Sequence, residues 1–147
     1  MDKDIDFHGA KAAFFVDDQL LVYRRDNNPE IPFPNMWDLP GGGRENGETG
    51  AECVARETFE EFGIKVDTDA LDYVQHYENW RRGNSLRALF FVGELSAAQV
   101  AGIVFGDEGQ HWQIMAMNEF LESDEAVPHL QDRLRDFARA SARLGQK

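Results

Sequence analysis

Cysteine is nearly absent from this chain: Cys53 is the one example in 147 residues, which excludes an internal disulfide and fits a reducing compartment. Basic residues are also scarce, 15 against 27 acidic ones, for a formal net charge of -12 and a pI near 4.6. That balance excludes the basic stripe needed to follow the phosphates of a long nucleic acid. No apolar run approaches the roughly 20 residues of a membrane span. The N-terminus, MDKDIDFHG, lacks the basic and apolar regions of a signal peptide. A cytoplasmic protein with no membrane association is therefore expected. Repeats, low-complexity tracts and linkers are missing too, so residues 1–147 are expected to form one domain. The four histidines, His8, His76, His111 and His129, show no metal-ligand spacing and are read as packing or surface residues. What is present is 42% hydrophobic and 12% aromatic content, ordinary for a chain with a proper core.

The most informative stretch is Gly42 to Ile64, GGRENGETGAECVARETFEEFGI. Thr49 followed by Glu52 fits a capping box, and Gly63 is a natural left-handed stop, so a helix is expected between them. On that helix Glu57, Glu60 and Glu61 stand at i, i+3 and i+4, which puts three carboxylates on one face. Like charges so close repel, and such clusters make sense around a hard divalent cation with oxygen ligands. Ala51, Val54, Ala55, Thr58 and Phe62 form a second face expected to pack inward. Cys53, one turn before Glu57, is read as a packing residue. Leu39-Pro40-Gly41-Gly42-Gly43 reads as a loop whose backbone can come close to a ligand.

Around this stretch the pattern alternates between strands and helices. Phe7 to Val16 and Gln19 to Arg25 read as a hairpin turning at Asp17-Asp18. Asp26 to Asn35, with three prolines and three asparagines, is a loop, and Met36 to Leu39 a short strand. Leu71 to Trp80 and Ser85 to Leu95 form a second hairpin, with Phe90-Phe91-Val92 as a central strand. Ser96 to Phe105 fits neither pattern clearly. Gln110 to Met117 reads as a strand, Asn118 to Ser123 as a short helix, and Val127 to Leu144 as an amphipathic helix burying Leu130, Leu134, Phe137 and Ala138. This is an α/β arrangement, a mixed sheet between helices.

Gly42, Glu48, Arg56-Glu57 and Glu60-Glu61-x-Gly63-Ile64, at these spacings, resemble the signature box of the Nudix hydrolases, and the flanking residues resemble its MutT-like branch. Thr58 departs from the pattern, which usually has an aliphatic residue there. The resemblance implies an α/β/α sandwich and a Mg²⁺-dependent enzyme (Mn²⁺ serving as well) that cleaves the diphosphate linkage of a small nucleotide. The leading substrate is a nucleoside triphosphate, cut to monophosphate and pyrophosphate. ADP-ribose, a nucleotide sugar or a non-catalytic nucleotide sensor are the alternatives, and a homodimer is a frequent assembly of the family.

The same resemblance implies roles for individual residues. Glu60 and Glu61 would ligate the metal with the Gly41 carbonyl, and Glu57 would be a further ligand or the base. Arg56 would orient the glutamates, and Glu48 would hold loop and helix in register. Glu108, in Glu108-Gly109-Gln110-x-Trp112, would be a fourth carboxylate, with Asp107 as its competitor. Arg25, at the end of the second strand, would contact substrate phosphate, and Trp37 would support the loop or wall the base pocket. Read from the residues alone, Tyr77, Trp80, Arg81 and Arg82 could stack a base and grip phosphate, or form an exposed turn or dimer contact.

Overall fold

Strand β1 (Phe7–Val16) is apolar on both of its faces, and that decides the layering. Ala10, Ala12 and Phe14 belong to one core cluster, with Leu21 and Tyr23 of β2 (Gln19–Arg24) and Leu89 and Phe91 of β6 (Arg87–Glu94). The alternate residues Ala13, Leu20, Val22, Phe90 and Val92 belong to a second cluster. Successive side chains point to opposite faces of a strand, so the sheet is covered on both sides. Helix α1 (Gly50–Phe62) contributes Cys53, Val54 and Phe62 to the first cluster. Helices α3 (Met117–Glu122) and α4 (Pro128–Gly145) contribute Phe120, Leu130 and Leu134 to the second. The architecture is thus an α/β/α sandwich, seen in a computed structural model that describes residues 6–78 and 87–145.

The seven-stranded sheet has the order β3-β2-β1-β6-β5, with β3 at Trp37–Asp38 and β5 at Leu71–Glu78. β1 and β6 run parallel and the other pairs are antiparallel. Two further strands lie off this path: β4 (Gly41–Gly43) pairs with β1, and β7 (His111–Ala116) pairs with β2. β1 changes partner along its length. Gly9 to Lys11 pair with β4, whereas Phe15 and Val16 pair with β2. Where the partner changes, the backbone of residues 40–43 approaches the start of β1. Among the described residues no helix is long and apolar enough to cross a membrane.

Two expectations need correction, and one ambiguous stretch is resolved. Gly41–Gly43 is a strand rather than a loop, because its missing side chains let it lie between β1 and α1. A Cβ on Gly42 would fall 2.6 Å from the Glu57 carboxyl carbon. The inward face of α1 takes in Cys53 and Glu61, while Ala51 and Ala55 are only half-buried. The carboxylate face and the packing face therefore overlap at Glu61. Ser96 to Phe105, ambiguous in sequence, contains the short helix α2 (Ala97–Ala101), started by a reciprocal cap between Ser96 and Gln99.

The remaining signals of α1 act as read. The Thr49 side chain accepts from the Glu52 N–H, the Glu52 side chain accepts from the Thr49 N–H, and Gly63 ends the helix at φ 70°. Thr58 is fully buried, and its hydroxyl has no hydrogen-bond partner among the described residues. A buried hydroxyl without a partner carries its desolvation cost uncompensated. Thr58→Val keeps the shape and removes that cost, so it is expected to stabilise the protein by about 1 kcal/mol in urea denaturation. An unchanged or lowered midpoint would show that the hydroxyl has a partner in solution.

Candidate active site

Arg56 is the hub of the acidic face. Its Nε and Nη2 donate to the two carboxylate oxygens of Glu48 at 2.6 and 3.1 Å, a bidentate pair. Nη2 also donates to the Gly43 carbonyl at 2.8 Å, and Nη1 reaches Glu57 at 3.2 Å and Glu60 at 3.3 Å. One guanidinium thus ties the segment before the helix, the glycine strand and two of the clustered carboxylates together. Glu48 also accepts from the Glu45 N–H, so it clamps the turn leading into α1. The hydrogen bond from Arg56 holds the Glu48 carboxyl below its ordinary pKa, and Arg56 itself is raised chiefly by Glu48.

Glu61 lies deeper. Its Oε1 accepts the Gly41 N–H at 3.1 Å, so the glycine strand and the helix are joined by backbone to side chain. Burial raises the Glu61 pKa to about 8 against the opposing pull of Lys11 and the Gly41 amide. Burial also raises Glu57, with Arg56 opposing.

Beside them Asp38 is buried and accepts three donors on Oδ2: Lys11 Nζ at 3.1 Å, Tyr23 Oη at 3.0 Å and Arg25 Nη1 at 2.8 Å. Burial alone would raise Asp38, but Lys11 and Arg25 outweigh it and keep the carboxylate charged. Lys11 Nζ also donates to the carbonyls of Leu39 and Gly41, each at 3.1 Å. The Gly41 carbonyl expected to face a metal is therefore hydrogen-bonded to Lys11 here.

Two adjoining cavities collect these groups. The smaller, about 180 Å³, is lined by Glu57, Glu60, Glu61, Asp107 and Glu108. The larger, about 460 Å³, shares four of these and leaves out Asp107. It adds Lys11, Arg25, His129 and Arg133 among its polar walls. Arg25 therefore faces the cavity. Its neighbour Arg24 turns away, pairing with Glu125 at 2.9 Å and lying over the Trp37 ring.

Two expected substrate contacts fall elsewhere. Trp37 does not line either cavity; it packs under Arg24 and against His111, and its backbone joins Glu125 and Val127. Tyr77 is turned to α4, where its hydroxyl donates to Asp136 at 2.9 Å and its ring underlies Arg133. Arg81, with Trp80 and Arg82, lies outside the described residues.

Sequence reading missed Lys11, Asp38, His129 and Arg133. A signal existed for Lys11, a lone charge within the apolar strand FHGAKAAFFV. His129 and Arg133, four apart on α4, border its apolar stripe and look like ordinary helix-surface residues. His129 is instead partly enclosed, and burial, then Arg133, lower its pKa to about 4.

The donor set fits a hard divalent cation: the smaller cavity is walled by carboxylates, without nitrogen or sulfur ligands. Among the described residues no three acidic, histidine or cysteine side chains already converge as a metal-holding group. Arg56 Nη1 sits against Glu57 and Glu60 instead. The carboxylates that a cation would draw together are gathered but held by a guanidinium.

The raised Glu61 pKa has a consequence for stability. Between about pH 4.5 and 8 the unfolded chain has released this proton while the folded protein retains it. Raising pH through that window therefore favours unfolding. Without divalent cations, wild type is expected to lose roughly 2 to 4 kcal/mol relative to Glu61→Gln between pH 5 and pH 8. Urea denaturation of both proteins in EDTA measures this, and parallel pH profiles would contradict it.

Comparison with known proteins places the fold and the family. A MutT-like protein of Streptomyces ambofaciens is 45% identical over 67 residues, 46% of this chain and 38% of that protein. An ADP-ribose pyrophosphatase of Methanocaldococcus jannaschii is 36% identical over 91 residues, 58% of this chain and 52% of that one. The chain thus spans about half or less of the length of the curated relatives it matches. The crystal structure of the MutT protein from Methanosarcina mazei Go1 has the same fold, with a TM-score of 0.69 at 22% identity, covering 94% of this chain and 97% of that one. The family model of the NUDIX domain matches residues 6–137, and with so much of its length matched, the chain belongs to the Nudix family.

Proposed function

We propose that the protein is a divalent-cation-dependent pyrophosphohydrolase that cleaves the diphosphate linkage of a small nucleotide, with nucleoside triphosphates as the leading substrate. The observation that carries this reading is the carboxylate-walled cavity of Glu57, Glu60, Glu61, Asp107 and Glu108, opening beside a wall that bears Lys11 and Arg25. A bare diphosphate would be repelled by such a wall. A cation held there reverses the sign of the local field.

Glu57, Glu60, Glu61 and Glu108 are the residues that would hold Mg²⁺ or Mn²⁺. When bound, such an ion neutralises charge on the diphosphate oxygens and favours attack by water. The chain's own groups supply the rest. Arg56 orients Glu57 and Glu60, and Arg25, positioned by Asp38, contacts substrate phosphate. Glu57 or Glu108 takes the proton of the attacking water as its oxygen bonds to phosphorus. The bridging P–O bond then breaks, its electron pair staying on the bridging oxygen, and monophosphate and pyrophosphate separate. The relative named as an ADP-ribose pyrophosphatase supports diphosphate chemistry.

A nucleotide panel incubated with Mg²⁺ or Mn²⁺, resolving phosphate from pyrophosphate, tests the reading. Triphosphates are expected to yield monophosphate and pyrophosphate, with kcat lowered about 10²–10⁴-fold in Glu61→Gln. EDTA should abolish turnover. Cleavage of ADP-ribose or nucleotide sugars alone would keep the chemistry and move the substrate. Tight nucleotide binding with no turnover anywhere would sink the hydrolase and leave a nucleotide sensor.

A further inference from the structure

Arg133 is 5% exposed, lines the larger cavity, and has no carboxylate within ion-pair distance among the described residues. The contrast on its own helix is direct. Arg135 pairs with Asp132 at 3.3 Å and Arg139 with Asp136 at 3.2 Å, both among exposed side chains. The Arg133 guanidinium instead lies over the Tyr77 ring, 4.8 Å from its centroid, and Nη2 makes a long 3.4 Å bond to the Glu78 carbonyl. Burial lowers its pKa, yet a guanidinium stays charged in proteins. A buried charge without a counter-charge is unfavourable.

The other cations of the cavity differ in this respect. Lys11 and Arg25 share the buried carboxylate of Asp38, which neutralises one of the two. Arg133 has no such partner among the described residues, and the cavity is the space from which an anion could reach it. A guanidinium fork matches phosphate oxygens, and 460 Å³ is an ordinary size for a small-ligand site. The layering adds a direction. The glutamates come from α1 on one face of the sheet and Arg133 from α4 on the other. A ligand touching both lies across the Gly41–Gly43 strand.

We propose that Arg133 anchors a second anion subsite, which takes the terminal phosphate of a substrate whose inner diphosphate lies against Glu57, Glu60 and Glu61. The anion site stands on the structure alone; its assignment to substrate rests on the hydrolase reading. A dianionic terminal phosphate is present in nucleoside triphosphates. The corresponding end of ADP-ribose or of a nucleotide sugar is a neutral sugar. The subsite therefore selects for the first class.

The first test needs no turnover. Inorganic phosphate is titrated into the metal-free protein in EDTA and followed by NMR, through the backbone amides of the cavity wall in wild type and variants alike, and through the Arg133 Nε–H resonance in wild type. A saturable shift is expected, the amide shifts being lost in Arg133→Gln and weakened in Arg133→Lys, which keeps the charge without the fork. No saturable shift, or phosphate binding that is unchanged in Arg133→Gln, overturns the subsite. If the glutamine variant does not fold, the wild-type resonance still decides. The second test is kinetic, with Mg²⁺: Arg133→Gln should raise KM for nucleoside triphosphates roughly 10- to 100-fold and leave that for ADP-ribose unchanged. Equal losses on both substrates would contradict selection of a terminal phosphate. Should the enzyme turn over nothing, the hydrolase reading falls while the phosphate titration still judges the site.

Discussion

The backbone of Gly41–Gly43 runs between the start of β1 and the acidic face of α1, in a space that leaves no room for side chains at Gly41 and Gly42. On one side it forms ladder bonds to Gly9–Lys11. On the other, Gly41 donates its N–H to Glu61 and Gly43 offers its carbonyl to Arg56. Part of the site follows from that close approach: Gly41 binds the buried Glu61, and Lys11 reaches the Leu39 and Gly41 carbonyls. Asp38 is set beside Tyr23 and Arg25 by the pairing of β3 with β2. A side chain at Gly42 would collide with the Glu57 carboxylate, so the identity of the glycine and the position of the glutamate are one constraint.

Charge is arranged in a protein that has too much of one sign. The formal net charge of -12 makes the protein as a whole unattractive to phosphate. The site overcomes this locally. Acidic groups are concentrated on α1 and the segment at Asp107-Glu108, where a cation would convert them into an asset. The basic groups of the cavity wall come from β1, the end of β2 and α4. Asp38 and Arg56 are the two organisers, one a carboxylate gathering cations and the other a cation gathering carboxylates.

Much of the fold was legible because its signals are local. The Thr49–Glu52 cap, the Gly63 stop, the Asp17-Asp18 turn and the apolar strands at Phe7 and Phe90 act within a few residues, and they stand where the pattern puts them. The glycine run was misread as a loop because a strand partner 30 residues away cannot be seen in a local window. Tyr77 was read as a candidate base-stacking residue because an aromatic ring near basic residues suggests a base pocket, and Trp37 as a loop support or pocket wall from its place before the glycine run. In three dimensions the partners of these rings are Arg24 and Arg133, and the rings support those arginines from behind.

By itself, the sequence determined which residues could share a helical face and what donors they would present. Glu57, Glu60 and Glu61 share one helical face whatever surrounds them, since the pitch of the helix is enough, and Arg56 is one residue from the first of them. Tertiary structure alone decided which carboxylate would be buried, which arginine of the pair Arg24-Arg25 would face the cavity, and which partners Lys11 would find. It also carried Arg133 from the far helix to the same cavity as the glutamates. Those outcomes depend on burial and on contacts between segments distant along the chain, and neither desolvation nor a long-range partner is encoded in the spacing of neighbouring residues.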